Sequence, residues 1–203
     1  MSSQRSIDEI PEDGRRARRH RSRDLVVDAM LDLLAGGVTR PTAQQVAEAS
    51  GVSLRSIFRI FDDVETLHTE AAKRQFARVR HLFVDVTASG SPEERVDEII
   101  AINARLYESV APVRRAALHA APGSDALHEH LARVRGWLRS EIDRVFAPEL
   151  SRRTDGQRTA GALEVLLSFE AWDQLRSFQG HDVADAAAVV RQAALRLLTA
   201  GSR

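Results

Sequence analysis

Cysteine is absent from the 203 residues, which removes disulfides, thiolate nucleophiles and cysteine-ligated zinc together. Lysine is nearly absent: Lys73 is the only one among 29 basic residues, so the positive charge is almost wholly arginine. No apolar run approaches the roughly 20 residues needed to span a bilayer, and the polar N-terminus carries no signal-peptide core. A cytoplasmic protein with no membrane partner is therefore expected. Enzyme signatures are missing as well: there is no glycine-rich phosphate loop, no HExxH and no GxSxG. His128 and His130 lie two apart, which on a helix points them to different faces and disfavours a metal site. His119 has no acid or nucleophile beside it in sequence. The chain reads as a non-enzyme with no cofactor and no metal.

What is present is apolar and charged in helical register. Hydrophobic residues make up 43%, enough for a sizeable core, and the 29 acids balance the 29 bases. The distribution of charge says more than its sum. The densest positive stretch is Arg15-Arg16-Ala17-Arg18-Arg19-His20-Arg21-Ser22-Arg23. Residues 1–14, with Ser2, Ser3, Pro11 and Gly14, read as a disordered lead-in, and 1–19 as a disordered basic arm.

From Leu25 onward the spacing predicts helices throughout. Leu25, Val26, Ala29, Met30, Leu33 and Leu34 share one face, and Gly36-Gly37 ends that helix. A second begins after Pro41, with Thr42 and Gln45 as a capping box, and ends near Ser50-Gly51. A third runs from Ser53 to about Phe61. A fourth is capped at Asp62 with Glu65 and runs through Leu67, Ala71, Phe76 and Val79 toward Val86. Ser91, Pro92 and Glu94 form the next start signal; that helix carries Val96, Ile99, Asn103, Leu106 and Tyr107 and is predicted to end at Pro112. A short helix at 113–121 follows, then one from Ser124 with a stripe from Leu127 to Val145, closed by Pro148. Asp155 to Phe178 is expected as one helix, apolar on much of its circumference and so buried on more than one side. Gly180 ends it, and Asp182 caps a last helix from Ala186 to Leu198. No run alternates with period two, so the fold class is all-α, with about nine helices.

The segment 42–59 carries the functional signal. Ala47 is small enough for two helices to cross closely, Gly51 suits a positive-φ turn, and Val46, Val52 and Ile57 fill the space between. That is what a helix-turn-helix requires, although the same spacing also fits an ordinary helical hairpin. The second helix would present Leu54, Arg55, Ser56, Phe58 and Arg59 outward, with its N-terminus toward the major groove. Arg55 suits a guanine edge and Arg59 a phosphate. Thr42 and Ser53, at the two helix starts, complete the candidate DNA-facing set with Arg19 and Arg21 from the basic run, which would add salt-dependent affinity.

Gly51-Val52-Ser53, Ile57-Phe58-Arg59-Ile60-Phe61, then Glu65 and Leu67 resemble the DNA-binding domain of the TetR family of transcriptional regulators, over about residues 22–70. Three departures stand out. Phe58 replaces a common tyrosine whose hydroxyl usually meets a phosphate. Ile60 replaces a common histidine, and Val64 a lysine that contacts the DNA backbone. The resemblance implies a three-helix DNA-binding domain (20–68) followed by a larger helical ligand-binding and dimerisation domain (69–203). It implies a homodimer, paired through the last two helices, on palindromic double-stranded operator DNA, usually as a repressor released by a small molecule. A DNA-binding regulator without a small-molecule effector, controlled by a protein partner, is the alternative. The implied pocket lies among the helices at 92–111, 124–146 and 157–178. Its candidate lining is Asn103, Leu106, Tyr107, Trp137, Phe169, Trp172 and Asp173, with His119 and Glu170 as further polar groups.

Overall fold

The computed structural model describes residues 12–84, 86–120 and 125–199, and among these there are helices and connections but no strand. The helices are α1 (Glu12–Ala35), α2 (Ala43–Ser50), α3 (Leu54–Ile60) and α4 (Val64–Val79), which tightens into a 3₁₀ turn at Arg80–Leu82. They continue as α5 (Pro92–Ala120), α6 (Asp125–Val145), α7 (Ala147–Ser151), α8 (Gly156–Leu166), α9 (Phe169–Asp173) with a π-helical turn at Gln174–Phe178, and α10 (Val183–Thr199).

Most boundaries are set by local chemistry. Thr42 and Gln45 form the reciprocal capping box of α2, satisfying two helix-end donors at once. Ser91 and Glu94 do the same for α5: the Ser91 N–H donates to Glu94 Oε2 at 2.8 Å and the Glu94 N–H to Ser91 Oγ at 3.2 Å. The cap of α4 is Asp63, one residue later than the sequence suggests, accepting the Thr66 N–H at 2.6 Å. Asp182 caps α10 through the Asp185 N–H at 2.8 Å.

Four expectations are corrected. The first helix does not wait for residue 20: it runs from Glu12, so 12–19, assigned to a disordered arm, are its opening turns. Residues 1–11 of that arm lie outside the described residues. The fourth helix stops at Val79 with its 3₁₀ turn, short of Val86. Pro112 does not end α5, which passes through it for 29 residues. A proline removes one intrahelical bond, and here tertiary packing on both sides outweighs that loss. Finally, 155–178 is not one helix. It breaks at Leu167–Ser168, and Ser168 Oγ accepts the Ala171 N–H at 3.2 Å to start α9. Nor is this stretch buried all round: Val165 is 70% and Phe178 77% exposed.

Two large hydrophobic cores result, with a small third cluster of Ala72, Ala117, Leu127 and Leu131. The first joins Val26, Met30 and Leu34 of α1 to Val46 of α2, Ile57 and Ile60 of α3, Phe61, and Leu67 and Ala71 of α4. It also includes Val113 and Ala116 from α5. The second fills the body between α5, α6, α8, α9 and α10, with Ile142, Val145, Phe146, Leu163 and Ala186 almost sealed from solvent. In the body, Arg95 is 3% exposed and forks onto Glu149 at 2.6 and 3.0 Å while donating to the Val145 carbonyl at 2.5 Å. Its guanidinium also lies 5.7 Å from the centre of the Phe146 ring. A buried arginine needs such complete pairing. No helix among the described residues is long and apolar enough to cross a membrane.

Candidate nucleic-acid interface and internal cavity

The unit that positions α3 is built from its turn outward. Gly51 ends α2 at φ 67°, ψ 12°, the left-handed conformation that glycine adopts at little cost. Ser50 Oγ accepts the Val52 N–H at 3.2 Å inside the turn. Ser53 then caps α3 by accepting the Ser56 N–H at 3.3 Å, and the two serine hydroxyls lie 3.0 Å apart. Val46 and Ile57 are buried between the helices and α1. The helix is thus held by caps and by one apolar face, leaving its other face to solvent.

That other face carries most of the predicted residues. Leu54, Arg55, Phe58 and Arg59 are exposed, Ser56 is half-buried, and Thr42 and Ser53 are exposed caps whose hydroxyls are bonded to Gln45 and Ser56. Ile60 is different. It is buried in the first core, so its loss of a donor concerns packing rather than the outward surface. Val64 is half-buried at the start of α4.

In the body, Arg115, Arg153, Arg176 and Arg191 each grip a carboxylate. In the first unit, Arg74 and Arg78 of α4 hold Asp24 and Asp28 of α1. Arg23 pairs with Glu70 at 2.8 Å and lies 5.1 Å from the centre of the Phe61 ring. By contrast Arg16, Arg18, Arg19, Arg21, Arg40, Arg55 and Arg59 are exposed and make no ion pair among the described residues. Arg80, Arg105, Arg133, Arg152 and Arg158 are likewise exposed without an ion pair among the described residues, so unneutralised cations stand on α1, α3 and the connection before α2 without being confined there.

The second feature is a cavity of about 90 Å³ between α4, α5, α6 and α9. Phe76, Phe83, Leu106, Tyr107, Trp137 and Phe169 supply much of its wall. The rings interlock: Phe83 meets Phe76 and Trp137 at 4.9 Å each, and Tyr107 meets Phe169 edge-on at 5.7 Å. Leu106, Tyr107, Trp137, Phe169 and Glu170 of the predicted lining are therefore brought together. Asn103 and Trp172 are not on this cavity; with Tyr107 they border a second space of only about 10 Å³. Asp173 lines neither, being held by Arg115 at 2.6 and 2.8 Å and by Ser177 at 2.8 Å. His119 is exposed.

The helix break explains the polar groups buried beside it. Interrupting the ladder at Leu167 turns its carbonyl to side-chain donors: Tyr107 Oη at 2.6 Å and Asn103 Nδ2 at 3.3 Å. Burial pushes the Tyr107 phenol well above its ordinary range, so it stays a donor. Trp172 Nε1 donates to Glu108 at 2.8 Å. Asn103 and Trp172 thus have structural partners of their own.

Many lining residues escape a reading of the sequence, among them Phe76, Phe83, Arg114, His130 and Arg135. The seven-residue spacing of Phe76 and Phe83 on one helical face was the available signal. Arginines in a helix otherwise read as surface.

No protein-family model matches the chain, and no curated protein matches it. Solved structures do. A transcriptional regulator from Rhodococcus sp. Rha1 aligns with a TM-score of 0.67 at 16% identity, covering 90% of this chain and 98% of that one. A protein assigned to the TetR family of transcriptional regulators, from Rhodococcus sp., aligns with a TM-score of 0.62 at 19% identity, over 88% of this chain and all of its own. One assigned as a transcriptional regulator from Pseudomonas aeruginosa PAO1 gives 0.65 at 19%, over 89% and 92%. The likeness is one of fold: the chain has the all-helical fold of these regulators. Within that class it has the TetR-like arrangement of a short helix-turn-helix unit joined to a larger helical body.

Proposed function

We propose that this protein is a DNA-binding transcriptional regulator, a repressor that binds a palindromic operator as a homodimer and is released by a small molecule in its body. The observation that carries the reading is the exposed face of α3. It presents Arg55 and Arg59, free of carboxylate partners among the described residues, on a helix fixed from behind by a capped turn and a closed core. Arg55, near the helix N-terminus, reads a base edge, which is worth about 1–3 kcal/mol of discrimination. Arg59, Ser53, Thr42, Arg19 and Arg21 meet phosphates and set register. Phe58 and Leu54 offer apolar contact to thymine methyls.

A short helix reads few base pairs, so two copies are needed at a spacing of roughly 34–36 Å. Val165, Phe178, Val183 and Val189 are exposed apolar residues on the C-terminal helices, and Gly161 beside Val165 leaves open space where a side chain would stand. These support pairing of two copies through α8–α10.

Release follows from shared elements. Val113 lines the cavity and belongs to the first core, and on α4 the cavity-lining Ala72 directly follows Ala71 of that core. A ligand that favours a different seating of α4 and α5 lowers operator affinity by linkage.

The test is binding of the purified protein to DNA from the upstream region of its own gene, with random duplex as competitor. Tight selective binding that Arg55→Ala reduces by about 10–100-fold supports the reading. Equal affinity for all duplexes, or selectivity untouched by Arg55→Ala, overturns it.

A further inference from the structure

The polar end of the cavity is unbalanced. Arg114 of α5 and Arg135 of α6 both reach Glu170 Oε1, each at 3.3 Å. Glu170 is the only acid on the cavity wall among the described residues. Two guanidinium charges therefore share one carboxylate, at distances longer than a charge-assisted bond prefers.

Arg114 is also incompletely bonded. Its side chain is only 11% exposed, and its Nε–H is buried with no acceptor. A guanidinium does not deprotonate to relieve this, and a buried donor without a partner is costly. Nε and Nη2 form the side-on fork that a carboxylate fills. In Arg115, Arg176 and Arg191 of this same chain that fork is filled at both nitrogens by a single carboxylate group. In Arg114, Glu170 takes Nη2 and leaves Nε open.

The cavity wall to which Arg114 belongs is otherwise largely apolar, with Phe76, Phe83, Val110, Leu131, Trp137 and Phe169; Nε itself is sealed from solvent, so a carboxylate reaches the fork by displacing Glu170 from Nη2. The remaining polar neighbours on the wall are Gln75, His130 and Ser168. Burial, then the nearby Arg133, Arg114 and Lys73, holds the His130 imidazole below its ordinary value. It is neutral at pH 7 and supplies a hydrogen bond rather than a third positive charge. The space, about 90 Å³, is somewhat smaller than the roughly 150 Å³ that accepts benzene in a protein core. Its occupant has an apolar body no larger than one ring, and a short branched chain fits with less adjustment of the wall.

We infer that the effector is a small monocarboxylate with an aromatic or branched apolar body, whose carboxylate completes the open fork of Arg114 while Glu170 keeps Arg135. This rests on the cavity being the effector site. It adds the chemical class: an organic anion, selected over its neutral counterpart by one buried guanidinium.

The test uses the full-length protein and two matched pairs, benzoate with benzamide and 3-methylbutanoate with its amide. Binding is followed by calorimetry and by the fluorescence of Trp137, which stands on the cavity wall. At least one acid is expected to bind about tenfold or more tightly than its amide. Arg114→Gln is expected to abolish that preference, weakening the acid and leaving the amide nearly unchanged. Arg114→Lys keeps the charge and a bond to Glu170 but lacks the fork, so it carries the same expectation should the glutamine variant fail to fold. Amides binding as tightly as acids, no acid binding at all, or an acid preference that survives in Arg114→Lys would each overturn the inference. Operator binding is measured on the same preparation without acid. Its loss would count against the regulator reading alone, since the acid titration does not depend on it.

Discussion

Removing two exposed side chains should separate the proposed dimer. Val165 is 70% and Phe178 77% exposed on a single chain, and both stand on the helices proposed to pair. Complete burial of such side chains contributes about 1.5–3 kcal/mol each. Scaled by the exposed fraction, Val165 offers about 1 kcal/mol and Phe178 about 2 kcal/mol. A two-fold interface uses each residue twice, so the four side chains together contribute about 6 kcal/mol. Each 1.4 kcal/mol is tenfold in affinity. The double variant Val165→Ser/Phe178→Ser should therefore raise the dimer dissociation constant by about 10⁴-fold, turning a nanomolar dimer into one that is largely monomeric at micromolar concentration. Sedimentation equilibrium over a range of concentrations measures this directly. Circular dichroism should remain helical, because neither side chain is part of either core. Operator affinity should fall along with dimerisation. A dissociation constant within tenfold of the parent would refute the reasoning and place the interface elsewhere.

Other consequences are open to measurement. Arg59→Ala should weaken binding to every duplex alike and make the salt dependence shallower by about one unit; a loss confined to one sequence would make Arg59 a base reader. Arg95→Met strands the partly buried Glu149, and urea unfolding should show a loss of about 3–5 kcal/mol, most of it recovered by adding Glu149→Leu. An unchanged midpoint would mean that the buried pair contributes little. Thr42→Ala removes the α2 cap and should cost about 1 kcal/mol, with Thr42→Ser close to the parent. Burial holds the His68 and His130 imidazoles below their ordinary value, so the unfolded chain binds those protons more tightly. The stability they contribute is complete above about pH 6.5 and is lost as pH falls below it, through the lower folded-state values. Melting temperature should drop between about pH 7 and pH 5.5, and a His68→Gln/His130→Gln double variant should flatten that window.

Features decided within a few residues were legible in the sequence. The capping boxes at Thr42 and Ser91, the stop at Gly51 and the outward face of α3 depend on neighbours three or four positions apart. Those decided by distant packing were not. Pro112 reads as a stop, yet α5 runs through it because Val113 and Ala116 beyond it are held in the first core. The break at Leu167–Ser168 has no glycine or proline to announce it; its carbonyl is taken by side chains 60 and 64 residues away. For the same reason Asn103 reads as a ligand contact when its partner is backbone. Arg114 and Arg135 look like solvated surface until α9 brings Glu170 between them.

The position of Val113 and Ala116 bears on how this molecule can be rearranged. The first core closes only with a turn of α5, more than thirty residues beyond the end of α4. Cut after α4, the helix-turn-helix head would carry an unsealed apolar floor, and grafted onto a foreign body it would have to find a substitute for that turn. Head and body are thus poor candidates for independent exchange. A chimera that respects the fold would move residues 12–84 together with the stretch around Pro112, whereas the outer face of α3 can change without disturbing either core.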